Sequence, residues 1–140
     1  MSKVAVVYWS GTGNTEAMAN AVAEGARGKG AEVSVFQASE FSADLVSGFD
    51  SIAFGCPAMG AEVLEESEFE PMFQAVESLI SGKKVALFGS FGWGDGQWMR
   101  DWEERCMSSG IALAADSVIT NDAPDDAAIS DCKSLGLALA

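Results

Sequence analysis

The chain has 140 residues, 49% of them hydrophobic and 21% charged, a globular composition that suits one domain over residues 1–140. It contains no histidine and only three cysteines, Cys56, Cys106 and Cys132, which excludes Ser-His and Cys-His nucleophile pairs, imidazole general bases, His-containing metal sites and four-cysteine sites. Eight Lys and Arg against 21 Asp and Glu give a formal charge of −13, a field that repels nucleic acid and anionic membranes and either steers the molecule toward basic protein surfaces or confers solubility alone.

In chain order, Lys3 to Tyr8 is a continuous apolar run of the kind found in strands buried on both faces. Thr15 to Gly28 follows with Met18, Val22 and Ala26 at helical spacing, and Asn14 or Thr15 is placed to cap it. Glu32 to Gln37 predicts a second strand, Ser42 to Val46 a short helix, and Ser51 to Gly55 a third strand without polar alternation. Glu66 to Ile80 carries Phe69, Phe73, Val76 and Ile80 on one helical face; Lys84 to Gly89 is the fourth buried strand. Gln97 to Ser109 is helical, with Trp98, Trp102 and Cys106 turned inward. Ile111 to Thr120 predicts the fifth strand, and a last helix runs from about Asp125 to the C-terminus. Gly28, Gly30, Gly82 and Gly110 fall where helices should stop.

A β-α unit repeated five times, with right-handed crossovers, predicts a doubly wound α/β fold: a five-stranded parallel sheet with helices on both faces. The odd cysteine count implies reduced thiols and a cytoplasmic location. The start of the chain has no signal-peptide pattern, and no apolar run approaches the roughly 18 residues of a membrane span.

Ligands of open α/β sheets sit at the carboxyl ends of the strands, beside the switch in strand order. Three glycine-rich loops fall there: Trp9 to Thr15, Cys56 to Glu62 and Ser90 to Gly96. The first offers the hydroxyls of Ser10, Thr12 and Thr15 and the backbone amides of a helix start, a nest for one terminal phosphate. It lacks the lysine of a nucleotide-triphosphatase loop, and Glu16 stands where a dinucleotide fingerprint requires its third glycine. Trp93, between Gly92 and Gly94, has little neighbouring side chain to bury it and is an exposed aromatic platform.

Ser10-Gly11-Thr12-Gly13-Asn14-Thr15, Gly55-Cys56-Pro57-Ala58-Met59-Gly60 and Gly89-Ser90-Phe91-Gly92-Trp93-Gly94, in that order, resemble the three loops of a short-chain bacterial flavodoxin. The similarity runs on through Asp131-Cys132-Lys133. It implies the strand order 2-1-3-4-5 and a non-covalent flavin mononucleotide, FMN, at the switch point. It further implies that Ser10, Gly11, Thr12, Gly13, Asn14 and Thr15 hold the phosphate, with Trp9 shielding the phosphate or ribityl end. Pro57, Ala58, Met59, Gly60, Ala61 and Glu62 would cover one face of the ring, Met59 packing on it, Gly60 facing N5 and Glu62 accepting from N3–H. Gly89, Ser90, Phe91 and Gly92 would surround the pyrimidine end, with Trp93 and Gly94 on the other side. Phe91, where relatives often carry tyrosine, and Ala61, where a polar residue is common, depart from the family pattern.

The function so implied is a low-potential one-electron carrier, acting in place of ferredoxin between redox enzymes and passing through a neutral semiquinone. It turns over no substrate of its own and works as a monomer. Glu62, Glu65, Glu66, Glu68 and Glu70 would form its docking face for basic partners. A flavin-dependent NAD(P)H or quinone reductase on the same fold needs a second substrate pocket, for which 140 residues leave little chain. A phosphoacceptor receiver domain needs acidic residues where this chain has Tyr8-Trp9-Ser10 and Cys56-Pro57.

Overall fold

The computed structural model describes residues 2–60 and 62–140. Five parallel strands, β1 (Lys3–Tyr8), β2 (Glu32–Gln37), β3 (Ser51–Gly55), β4 (Lys84–Phe91) and β5 (Val118–Asn121), form one sheet in the order β2-β1-β3-β4-β5. The helices are α1 (Asn14–Gly28), α2 (Ala43–Val46), α3 (Phe69–Val76), α4 (Gln97–Ser108) and α5 (Asp126–Leu139), with 3-10 turns at Ala38–Glu40 and Glu77–Leu79. The order reverses between β1 and β3, so their carboxyl ends flank a crevice that neither crossover covers.

Side chains alternate across the sheet and build two cores. Ala5, Val7, Ile52, Phe54, Val85 and Leu87 face α2, α3 and α4 and meet large aromatics. Phe73 lies edge-on to Phe54 and to Trp102, with ring centres 5.1 and 5.7 Å apart. Val4, Val6, Tyr8, Ala53, Ala86 and Phe88 face α1 and α5, where Ala19, Ala23 and Ala26 keep the layer thin. Those two helices touch backbone to backbone: a side chain on Gly25 would collide with the Lys133 carbonyl, and one on Gly136 with the Val22 carbonyl. The end of α5 is pinned to the start of β3 by Ser51 Oγ, which donates to Leu139 O at 2.8 Å.

Several boundaries differ from the sequence expectation. The fifth strand is Val118–Asn121 and not Ile111 to Thr120, because Leu113 makes only an isolated bridge to Val85 before the chain turns away. The helix expected over Glu66 to Ile80 is α3 plus a 3-10 turn, since Ser67 and Glu68 are occupied in a capping turn around Glu65. Neither Asn14 nor Thr15 caps α1; Gly13 is its N-cap, and Ser10 supplies the hydroxyl. β4 runs two residues beyond Gly89, to Phe91. Among the described residues no helix is long and apolar enough to cross a membrane.

Candidate functional site

Four loops converge at the carboxyl edge of the sheet around a hollow of about 240 Å³. Trp9, Gly11, Thr12 and Asn14 line it from the first loop, Pro57, Ala58 and Met59 from the second, and Ser90, Phe91 and Gly92 from the third. Asp122, from a fourth loop after β5, completes the wall. A larger hollow of about 430 Å³ lies between β5 and α5, lined by Asp116, Asp131 and mostly small or aliphatic residues. It has neither a glycine nest nor an aromatic wall.

The first loop is shaped for an anion. Gly13, at φ +94, adopts the left-handed conformation that turns the chain into α1. Ser10 Oγ accepts from Gly13 N at 3.1 Å and Glu16 N at 3.3 Å, which ties the loop across the helix start. Among the described residues, the amides of Gly11, Thr12, Asn14 and Thr15 meet no intramolecular acceptor. Thr15, 1% exposed, lies beneath them with its hydroxyl 3.1 Å from that of Ser90, joining the first and third loops. The Trp9 ring covers Gly11, where a Cβ would come 3.1 Å from Cη2, and its Nε1 donates to Glu68 at 3.3 Å. Behind the loop Tyr8 donates to Glu16 at 2.8 Å; burial and that neighbouring carboxylate push the phenol up to about 12, so it stays a donor.

The second loop leaves β3 through Cys56 and is held at both ends. Ala58 N donates to Ser90 O at 3.1 Å, and Met59 and Val63 exchange backbone bonds of 2.8 and 2.9 Å. Between them the chain makes a tight turn with Gly60 at φ +50 and Glu62 at φ +55; Ala61 lies outside the described residues. Cys56 is fully buried, and burial pushes its thiol well above the usual range. Burial likewise pushes Cys106 and Cys132 up to about 12, so none of the three is a nucleophile at neutral pH.

The third loop leaves Trp93 53% exposed and outside the lining of the hollow. Phe91 packs on Trp98, ring centres 5.4 Å apart, and Trp98 donates to Cys56 O at 3.1 Å. Gly89 lies inside β4 against the Cys56 carbonyl. Ser10, Gly13, Thr15, Gly60, Glu62, Gly89 and Gly94 also stand outside the lining of the hollow; the Glu62 carboxylate accepts from Gln97 N at 3.1 Å, across the second and third loops.

Asp122 is the wall residue that sequence reasoning missed. It sits at φ +59, and its amide donates to Phe91 O at 2.8 Å. Its signal was present in the turn Asn121-Asp122-Ala123-Pro124 at the end of the fifth strand, on the same sheet edge as the other loops.

The acidic cluster divides into two kinds. Glu65 is 6% exposed and accepts from Ser67 N, Ser67 Oγ, Glu68 N and Phe69 N, capping α3. Burial acts to raise its pKa, but the Ser67 hydroxyl and the three amides outweigh it and hold the carboxyl below the usual range. Glu70 forms a two-pronged pair with Arg105 at 2.8 Å, and Glu77 accepts from the same guanidinium at 2.9 and 3.0 Å. Glu65 and Glu70 are therefore internal ties, and the exposed part of the expected docking face is reduced to Glu66 and Glu68 with Glu62 half-buried beside them.

The family model described as Flavodoxin matches residues 6–134. The chain belongs to the flavodoxin family. It is 49% identical to the flavodoxin of Clostridium beijerinckii over 96% of this chain and 97% of the relative. It is 47% identical to that of Megasphaera elsdenii, over 98% of each. Among solved structures, two-electron reduced Megasphaera elsdenii flavodoxin superposes with a TM-score of 0.89 at 46% identity, covering 97% of both chains. Flavodoxins bind FMN and carry electrons between redox proteins without turning over a substrate of their own, and the low potential and the exchange with ferredoxin expected from the sequence fit the family. The expected strand order is that of this flavodoxin's sheet.

Proposed function

We propose that the four loops hold FMN with its phosphate on the N-terminal turn of α1 and its ring between the Met59 and Trp93 loops. The observation that carries this is the set of amides at Gly11, Thr12, Asn14 and Thr15 with no intramolecular acceptor among the described residues, the first three of them on residues that line a hollow with an aromatic and thioether wall. The residues fit the group. A single terminal phosphate dianion is matched by convergent N–H donors, the Ser10, Thr12 and Thr15 hydroxyls and the positive end of α1, with no lysine or arginine in the three loops. A hollow of about 240 Å³ is smaller than pockets that engulf their ligand, which suits a flat ring with one edge left in solvent.

Bound FMN supplies one-electron exchange at its ring. The protein's part is to bind and orient it. Ser10, Gly11, Thr12, Gly13, Asn14 and Thr15 surround the phosphate, and Trp9 covers that end. Pro57, Ala58 and Met59 line one face, with Gly60 and Glu62 at the ring's polar edge. Gly89, Ser90, Phe91, Gly92, Trp93 and Gly94 form the opposite side, and Asp122 closes the wall beside Gly92. Carboxylates around the hollow disfavour added negative charge and so favour a low potential.

The exposed Glu66 and Glu68, with Asp122 at the wall, supply the negative rim on which basic surfaces of redox partners dock. Burial of all three thiols suits a cytoplasmic carrier, and the shared sheet suits one domain over residues 1–140, working as a monomer.

The test is titration of the apoprotein with FMN and riboflavin, with Thr12→Asp as the probe. A carboxylate in the nest should weaken FMN at least tenfold and leave riboflavin nearly unchanged, by the loss of one charge-assisted bond and added like-charge repulsion. Equal weakening of both ligands refutes the phosphate assignment.

A further inference from the structure

Glu62 is a side-chain-bearing residue in the left-handed region, φ +55, where glycine is the usual occupant. The turn is closed by the paired Met59 and Val63 bonds, which fix the point from which the Glu62 side chain leaves the backbone. The carboxylate does not point loosely into solvent. Oε1 accepts from the amide of Gln97, the first residue of α4, whose N–H has no acceptor within the helix.

Gly94 provides the space. A Cβ built there would lie 2.5 Å from Glu62 Oε1, 2.6 Å from Cδ and 3.1 Å from Oε2, so the whole carboxylate rests where a side chain would stand. Gly94 is also at φ +81. A bond from one side and a bare Cα from the other define a fitted place for a single carboxylate.

We infer that Gly94 and the Gln97 amide form a seat for the Glu62 carboxylate, holding one oxygen on α4 and leaving the other for the N–H donor at the edge of the flavin ring. Gly94 is then a positioning residue that acts through Glu62. The inference rests on the proposed role of Glu62 at the ring. A seated carboxylate has already lost its rotameric freedom, so binding does not have to remove it. The seat also straps the second loop to the third, so the two sides of the ring site keep one spacing.

The experiment uses Gly94→Asn, Gly94→Ala, Glu62→Ala and the double variant Gly94→Asn/Glu62→Ala. Asparagine tolerates the left-handed backbone, so it isolates the added Cβ from backbone strain, and alanine serves as the second variant. Amide hydrogen exchange at Gln97 in the apoprotein reads the seat without ligand. FMN titration reads its consequence. The Gln97 amide should exchange at least about tenfold faster in Glu62→Ala and in Gly94→Asn, as a lost hydrogen bond at a helix start requires. Each single variant should weaken FMN by about tenfold or more, and the double by no more than about twofold beyond the weaker-binding single.

Losses that multiply in the double variant overturn the proposal, because an effect of Gly94 passing through its neighbour Trp93 would survive without Glu62. Unchanged Gln97 exchange in Glu62→Ala overturns the seat itself, whatever the FMN result. Accelerated exchange with FMN affinity unchanged in Glu62→Ala refutes the role of Glu62 at the ring, and the positioning role of Gly94 with it.

Discussion

Removing the phosphate from the ligand should weaken binding at least about a hundredfold. The amides of Gly11, Thr12, Asn14 and Thr15 in the first loop and α1 meet no intramolecular acceptor among the described residues, and Gly11, Thr12 and Asn14 line the hollow. If only two of them make charge-assisted bonds at about 1.5 kcal/mol each, the sum of about 3 kcal/mol already exceeds two decades in dissociation constant. Against this stands the protein's own charge of −13, which repels a dianion at long range. The nest contains no cation, so the attraction is short-ranged and barely screened, whereas the repulsion is spread over the surface and shrinks with salt. Raising ionic strength from 0.01 to 0.15 M shortens the screening length from about 30 to about 8 Å. FMN affinity should therefore rise with salt, while riboflavin affinity stays flat. Quenching of flavin fluorescence during titration of the apoprotein at both ionic strengths measures the four constants. An FMN affinity within threefold of riboflavin, or one that falls with salt as a lysine-based phosphate site would, refutes the amide nest.

Trp93→Ala should weaken FMN by about 1 to 3 kcal/mol and leave apoprotein unfolding unchanged, whereas Trp102→Ala, buried against Phe69 and Phe73, should cost about 3 to 5 kcal/mol of stability; ligand titration and urea unfolding separate the two, and exchanged phenotypes would reverse the assignment. Gly60→Val, at φ +50, should retain FMN but lower its first one-electron potential by about 20 to 65 mV, the equivalent of one lost hydrogen bond to the ring; a redox titration with wild-type potential counts against it. Gly136→Ala pushes α5 against the Val22 carbonyl and should cost about 1 to 3 kcal/mol in apoprotein urea unfolding, and no loss would mean that α5 moves aside freely. Because the Glu65 carboxyl is held below its unfolded pKa, its contribution is complete above the normal carboxylate range and is lost as pH falls through the folded value; acid unfolding should therefore begin at higher pH in Glu65→Gln, whose stability loss at neutral pH should shrink as the wild type is acidified.

The sheet was legible because β1, β3 and β4 are continuous apolar runs, and a strand covered on both faces has no other way to be written. The three loops were legible because their glycines and hydroxyls recur as a set, and ten of the nineteen residues expected at the site line the four-loop hollow. The residues that escaped are those whose partners are remote in sequence. Nothing near Glu70 signals that Arg105, 35 positions away, grips it with both nitrogens. Glu65 reads as one more surface acid in a run of them, and only the buried turn around it makes it a helix cap. Asp122 follows a strand of four residues whose alternating burial gives a weak apolar signal, so its loop did not stand out. The excess length given to the fifth strand has the same origin, since Ile111 is buried but lies before the chain reaches the sheet.

The bond from Ser51 Oγ to Leu139 O fixes the end of α5 at the amino edge of the sheet, on the opposite side of the molecule from the hollow. Five residues of β3 alone separate the two edges by about 17 Å. Any domain joined behind α5 starts from that far edge, so a linker of a few residues keeps its point of attachment away from the hollow. Flexible linkers reach only about 5 to 6 Å times the square root of their length, so about ten residues are needed to cover even the strand's own span. Tether length thus sets how near the hollow a joined domain can be anchored.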